Sequence, residues 1–400
     1  MRVEDWTADY LATVREGAVQ RRVAYLLLAA VTAVFAAVEN RKKSSRINRR
    51  GAVVLGLFMA WAAASALWSD EPGVLMRRLF VLGITLAWVY VCALRWSGLT
   101  FILFVVFSTL TNVALCISTE LLNKRFTPFD ADYRLSGTLA PNELGLNCMV
   151  LVLAALTAAR IAHKWRYLLL ASAASGFLAL ILTKSRTALI GLVIGAVVII
   201  HLTVRTRVKL AVSWALVCAG LTAAIITGPE IVLSATSIVP RSQENVGSLN
   251  NRVPMWQDCF ESYALKSPIL GYGYTTFWTP DRISMVSYEA GWGVSAAHSA
   301  YLELLLDLGV PGVVLYLTLA SMALRIIRKR LSQGRDPHLI FCASLICGLL
   351  IIGATESELP FRASAIYFYS LVSVFLPFVV ADKNLSHTSR SLTSASASAN

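Results

Sequence analysis

An all-α polytopic membrane protein of about eleven to twelve transmembrane helices is the fold class this sequence predicts, and three observations predict it. The 400-residue chain is 56% hydrophobic and only 15% charged, with a mean hydropathy of +0.64, whereas a soluble globular protein is nearer ~25% charged. Runs of roughly 16–20 apolar residues recur along almost the whole length, each about long enough to cross a ~30 Å hydrocarbon core. Alternating barrel strands are not seen, and backbone groups in lipid must bond internally, so these runs are helices.

The first run, 23–38, follows Arg21 and Arg22 and lacks a small-residue cleavage site, so it reads as a retained helix and not a removed signal peptide. It is short and alanine-rich, and its alternative is a helix lying in the interface. Further spans are expected at 51–67, 79–94, 98–117, 143–160, 167–182, 187–203, 209–227, 299–323, 338–354 and 363–381. Residues 1–22 form an N-terminal segment, 23–381 one membrane domain without internal repeats, and 382–400 a Ser/Ala-rich tail expected to be disordered.

A net charge of +13 would suggest nucleic acid in a soluble protein, but its distribution excludes that class of partner here. RKKSSRINRR (41–50) carries six positive residues, RTRVK (205–209) three and RIIRKRLSQGR (325–335) five. By the positive-inside rule these loops are cytoplasmic. With eleven spans all three fall on one side, and the loops 118–142 and 228–298 on the other. The count also requires an external N-terminus, which a missing upstream helix or a misassigned start would explain. Six of the seven cysteines lie within spans and Cys259 alone in an external loop, so neither a disulfide nor a zinc site is expected.

The external segment 228–298 is about 70 residues long, and loops of that length usually carry function. Within it, NNRVPMWQDCFESYALKSP (250–268) reads as an amphipathic helix: Asn250 or Asn251 caps it, Pro254 fits the first turn, and Pro268 ends it. Val253, Trp256, Phe260 and Ala264 are expected on one face. Arg252 then stands at the helix N-terminus, which favours an anion. The following turn, ILGYGYTTFW (269–278), makes the loop rich in aromatic rings. These include Trp256, Tyr272, Tyr274 and Trp292; they would either stack on sugars or anchor the loop at the headgroups.

Of five histidines, His163, His201 and His338 fall at or near cytoplasmic helix ends and His387 in the tail, leaving His298 alone facing outward. Its imidazole suits a general base or acid; the alternative is a structural histidine. Externally placed positive charges are the second anomaly: Lys184 and Arg186 in TKSRTALIG, Arg252, Arg134 and Arg362. Several forks converging on one cavity would hold a diphosphate. The alternative is ion pairing with Glu303, Asp307, Glu356 or Glu358, favoured for Arg134 and Arg362. Glu303 and Asp307 are i, i+4 on one helix face; counted from His298 they turn away from the histidine's face, which makes them poor candidates for orienting it. No acidic cluster suits Mg²⁺, and no cofactor is expected.

AAHSAYLELLLDLGVPG (296–312), TKSRTALIG (183–191) and NNRVPMW followed by SPILGYG (250–273) resemble, in this order, the signatures of the bacterial O-antigen ligase and polysaccharide polymerase superfamily. LWSDEPGVLMRR (67–78) and GTLAPNELG (137–145) are similar to stretches of its exopolysaccharide-polymerase branch. One departure is Ser299, where many members carry asparagine. The resemblance implies a C-type membrane glycosyltransferase, metal-independent and inverting, in the bacterial inner membrane with its active site facing the periplasm. It implies a glycan donor linked to undecaprenyl diphosphate, held by Arg186 and Arg252, and an acceptor glycan hydroxyl activated by His298. Lys184, Trp256, Tyr272, Tyr274 and Tyr301 are candidate substrate contacts; membrane lipid, a flippase and a chain-length regulator are candidate partners. Polymerisation is the reading favoured, with ligation onto lipid A-core or protein as the alternative. From another class, a transporter or flippase of lipid-linked sugars should show broken helices and midplane polar residues.

Overall fold

The computed structural model describes residues 19–37, 48–96, 98–130, 133–203, 252–334 and 336–357. The expected spans 209–227 and 363–381, Arg362, the first part of the long loop and the tail lie outside these residues. Among the described residues the protein is all-α, with no strand. The helices are α1 (Val19–Ala37), α2 (Arg49–Ala64), α3 (Pro72–Arg95), α4 (Gly98–Leu122), α5 (Pro141–Ala158), α6 (Arg166–Thr183), α7 (Arg186–Thr203), α8 (Arg252–Cys259), α9 (Pro280–Ala290), α10 (Ala300–Gln333) and α11 (Pro337–Ile352). Among the described residues seven helices are long and apolar enough to cross a membrane, and the runs Val23–Phe35 and Pro337–Ile352 are shorter apolar helices. The chain is thus a polytopic α-helical membrane protein.

Local chemistry starts the helices where they start. Asn48 Oδ1 accepts from the amides of Arg50 and Gly51, and Asp336 Oδ1 from that of His338, satisfying donors that a first turn leaves open. Pro72, Pro141, Pro280 and Pro337 open their helices, where a missing N–H costs nothing. α5 is the axis of the bundle: 78% of its apolar window is buried, against 22–39% for the other six long helices. It packs on α4, α6, α7 and α11, and α10 packs on α2. Close approach depends on small residues: a Cβ on Gly348 would lie 3.1 Å from the Gly191 carbonyl oxygen.

Three expectations are corrected. α10 does not stop near 323 but continues through the basic stretch to Gln333, and it is interrupted at Gly309 (φ 66°, ψ −169°). The loop helix spans 252–259 and then widens into a π-turn, Phe260–Ala264. Its inner face also differs from the expected one: Met255, Cys259 and Ala264 are buried, whereas Phe260 is 44% exposed. A second loop helix, α9, is also present, capped by the Thr279 hydroxyl and closed by left-handed Gly291; the run Thr-Pro-Asp-Arg followed by Gly is its signal in sequence.

The helix ends separate into two sets. At one end lie Arg49, Arg50, Arg160, Lys164, Arg166, the basic end of α10, and His163, His201 and His338. At the other lie the start of α10, the end of α11 and the loop helices. The described parts of 118–142 and 252–298 meet this second end, where the Glu120 carboxylate accepts from the Ser136 amide (3.0 Å) and Arg134 Nε donates to the Thr183 carbonyl (3.1 Å).

Candidate active site

Three chain segments place a side chain on one buried carboxylate at this second end, Glu356, and two more reach the same residue indirectly. Its Oε1 accepts from Asn142 Nδ2 (3.0 Å), at the start of α5, and from Thr187 Oγ1 (3.2 Å), beside Arg186 in the first turn of α7. Arg252 Nη1 lies 3.6 Å from the same oxygen and donates to the Thr355 carbonyl. Arg134 joins through Asn142, whose Oδ1 accepts from Arg134 Nη2 (2.9 Å). The Ala300 amide donates to the carbonyls of Gly353 (2.8 Å) and Glu356 (3.1 Å). The fold thus brings the neighbourhoods of Arg186, Arg252 and His298 onto one short stretch after α11. Ion pairing, the alternative reading of these arginines, also holds for Arg252. Among the described residues its contacts are made by a single guanidinium nitrogen, Nη1, so the Nε–Nη2 edge is the one that can meet a phosphate bidentately.

His298 stands just before α10 with φ 49°, a conformation L side chains rarely adopt without enforcement. The enforcement is visible. The preceding residue is gripped on both sides: the Ala297 amide donates to Glu303 Oε1 (2.6 Å), and the Ala297 carbonyl accepts from Trp256 Nε1 (2.6 Å). Glu303 Oε1 also accepts from Ser357 Oγ (3.2 Å), and its Oε2 from Trp278 Nε1 (2.9 Å). The Trp292 ring flanks the imidazole, with centroids 5.8 Å apart and planes 32° from parallel. This corrects the expectation that Glu303 turns away from the histidine. The helical wheel applies only from residue 300 onward; upstream, a left-handed residue and an extended Ser299 (φ −148°, ψ 115°) fold the chain back over the carboxylate.

Four residues further along α10 the helix opens, and the aromatic turn fills the opening. The amides of Tyr272 and Gly273 donate to the Leu306 and Asp307 carbonyls (both 2.9 Å), and Val310 N donates to the Pro268 carbonyl (2.8 Å). Trp61 Nε1 donates to the Leu308 carbonyl (2.9 Å), and Asp307 Oδ1 accepts from Phe277 N (3.3 Å). A Cβ on Gly309 would lie 2.2 Å from the Ile269 carbonyl oxygen, and one on Gly271 2.5 Å from that of Asp307. Broken helices were expected of a transporter; here these opened carbonyls hold the protein's own donors. The turn also docks on the α2–α3 corner. Tyr274 N donates to Ser65 Oγ (3.0 Å), Ser69 Oγ lies 2.8 Å from Thr276 Oγ1, and Arg78 donates to the Thr275 carbonyl. Arg282 pairs with Asp70 (2.5 Å) and covers the Tyr272 ring at 4.4 Å.

The remaining candidates distribute as follows. Lys184 is the left-handed cap of α6 (φ 52°), two residues before Arg186. Trp256 holds the histidine turn. The Tyr274 ring is buried inside the protein, and Tyr272 Oη donates to the Tyr263 carbonyl (3.1 Å); burial pushes the Tyr272 hydroxyl up, which keeps it a donor. Tyr301 Oη donates to the Leu350 carbonyl. Cys259 is fully buried, its thiol pushed up to about 12 by burial and then by nearby carboxylates, so it is inert. Reasoning from sequence missed Asn142, Thr187 and Glu120 as site-end polar anchors. Glu120, in the last turn of α4, accepts from Tyr133 Oη (2.5 Å) and Ser136 Oγ (2.8 Å). Among the described residues no group of three or more His, Cys, Asp or Glu side chains is placed to hold a metal ion.

The model of a protein family described as O-antigen ligase matches residues 170–317, a stretch that includes Arg186, Arg252 and His298 and ends within α10. The match agrees with the resemblance carried by the motifs, and it supports glycosyl transfer of the O-antigen ligase and polymerase type. No curated protein matches the chain.

Proposed function

We propose, for a chain that carries this O-antigen ligase match in a multi-pass membrane bundle, that it is a polysaccharide polymerase. It transfers glycan repeat units from undecaprenyl diphosphate to the hydroxyl of an acceptor glycan. The acceptor oxygen attacks the anomeric carbon as His298 takes its proton. The bond from that carbon to the diphosphate breaks, the electron pair leaves with the lipid diphosphate, and the anomeric centre inverts. Arg186 and Arg252 supply positive charge where the leaving group's negative charge grows, so the step needs no divalent metal.

The observation that carries this reading is the shared carboxylate. Thr187, next to Arg186, and Arg252 meet the same Glu356 oxygen, while the Glu356 carbonyl binds the backbone two residues after His298. Two phosphate-binding forks and a base therefore occupy one end of the bundle, where a lipid-borne donor and a water-borne acceptor can meet. The lysine and arginine bias assigns the opposite end to the cytoplasm and this end to the periplasm of a bacterial inner membrane. A flippase delivering the donor to that face and a chain-length regulator are the partners the reading implies. The test is to incubate purified protein with an undecaprenyl-diphosphate-linked repeat unit. A ladder of lengthened lipid-linked glycans is expected; transfer only when lipid A-core is added would make it a ligase, and no transfer to any acceptor would end the proposal.

A further inference from the structure

Glu303 is a buried carboxylate, 5% exposed, one turn into a helix that begins beside the candidate base. All three of its side-chain contacts given above are donors: the Ala297 amide, Trp278 Nε1 and Ser357 Oγ. Only an acceptor-only group satisfies such a set. The shortest of the three, 2.6 Å, is charge-assisted and reaches the amide of the residue directly before His298. That residue's left-handed backbone persists only where its surroundings hold it. Trp278 ties the carboxylate to the aromatic turn, and Ser357 ties it to the stretch after α11 that carries Glu356. One side chain therefore connects the histidine turn to both of its supports.

We propose that Glu303 is the positioning residue for His298: through the Ala297 peptide, its carboxylate sets where the imidazole stands. The proposal rests on His298 acting as the base, and it adds a residue that acts on it through the backbone of Ala297. Glutamine at 303 keeps the volume but must turn its amide nitrogen toward one of three donors, so Glu303→Gln releases the turn without opening a cavity. Trp278→Phe removes a single donor and releases it less.

The test uses the full-length purified protein with two readouts. In the first, diethylpyrocarbonate modification is followed residue by residue by mass spectrometry; His298 should react faster in Glu303→Gln than in wild type, with exposed His163 unchanged. In the second, transfer from an undecaprenyl-diphosphate-linked repeat unit should lose kcat by up to about 10²-fold, as small misplacements of a catalytic group do, with KM for the donor unchanged. Unaltered His298 reactivity and unaltered kcat in folded Glu303→Gln would overturn the proposal. If that variant does not fold, the same two outcomes in Trp278→Phe decide it. Absence of transfer by wild type would defeat the glycosyltransferase reading, while the modification readout would still decide the positioning role.

Discussion

The two turns that dock on the first half of α10 are held by different means. The aromatic turn at 268–278 is attached mainly backbone to backbone, through the carbonyls that the break at Gly309 exposes. The His298 turn relies more on side chains: Glu303 and Trp256 grip the amide and the carbonyl of Ala297, and Arg252 reaches the neighbouring stretch at 355–356, to which the Ala300 amide adds backbone bonds. Backbone interlocking leaves no room for a Cβ and behaves as scaffold. Side-chain tethers can be shortened, lengthened or exchanged, and they surround the residues that could do chemistry. On the proposed function, the comparison makes stability and activity the work of adjacent but separable parts of one helix start.

The largest expected effect tests the scaffold half of this contrast. Gly309→Ala combines a positive φ with a Cβ 2.2 Å from the Ile269 oxygen, and should cost more than about 3 kcal/mol. Size-exclusion of the detergent-solubilised variant should show little folded protein, with Gly271→Ala behaving alike. A monodisperse, wild-type-like Gly309→Ala would remove the distinction between the two turns.

His298→Ala should do the reverse: normal insertion and thermal unfolding, with transfer lowered roughly 10²–10⁴-fold. Wild-type transfer should also fall on acidification, because a protonated imidazole cannot accept the acceptor's proton. Near-normal elongation by the alanine variant would leave the arginines as the only chemistry at this end.

Arg252→Ala and Arg186→Ala should each lose about tenfold to a hundredfold in kcat/KM, the equivalent of a hydrogen bond to a charged partner. Lysine at either position should restore only part, having no planar fork. Full recovery by lysine would show that charge alone is used and not the bidentate geometry.

The smallest effect is expected at the opposite end. Burial pushes Asp336 up, but the hydrogen bond and charge of His338, helped by Arg330, outweigh it and hold the carboxyl below its ordinary 3.8. A carboxylate depressed in the folded state adds stability that is fully present above that ordinary value and is lost as pH falls through the lower, folded one. Asp336→Asn should therefore flatten the acid limb of a thermal-stability profile. Because Asp336 is 44% exposed, the change at neutral pH should stay under about 1 kcal/mol, with transfer unaffected.

The fold class and most of the described long helices were legible in the sequence because apolar length is a property of short stretches read one at a time. Arg186, Arg252 and His298 stood out as candidates by residue type and by place in the loops. The tertiary structure alone decided which carboxylate serves which partner. Glu356 meets residues 104 to 214 positions away, and Glu303 meets Trp278 and Ser357 from two other elements, pairings that no periodicity encodes. It also decided the reach of Glu303 to the Ala297 amide. A helical wheel extends a fixed 100° step per residue, and that step fails where the chain enters α10 through a left-handed histidine. The π-turn at 260–264 breaks the same step again, so that Cys259 and Ala264, five residues apart, are both buried: one residue of changed geometry redirects every side chain beyond it.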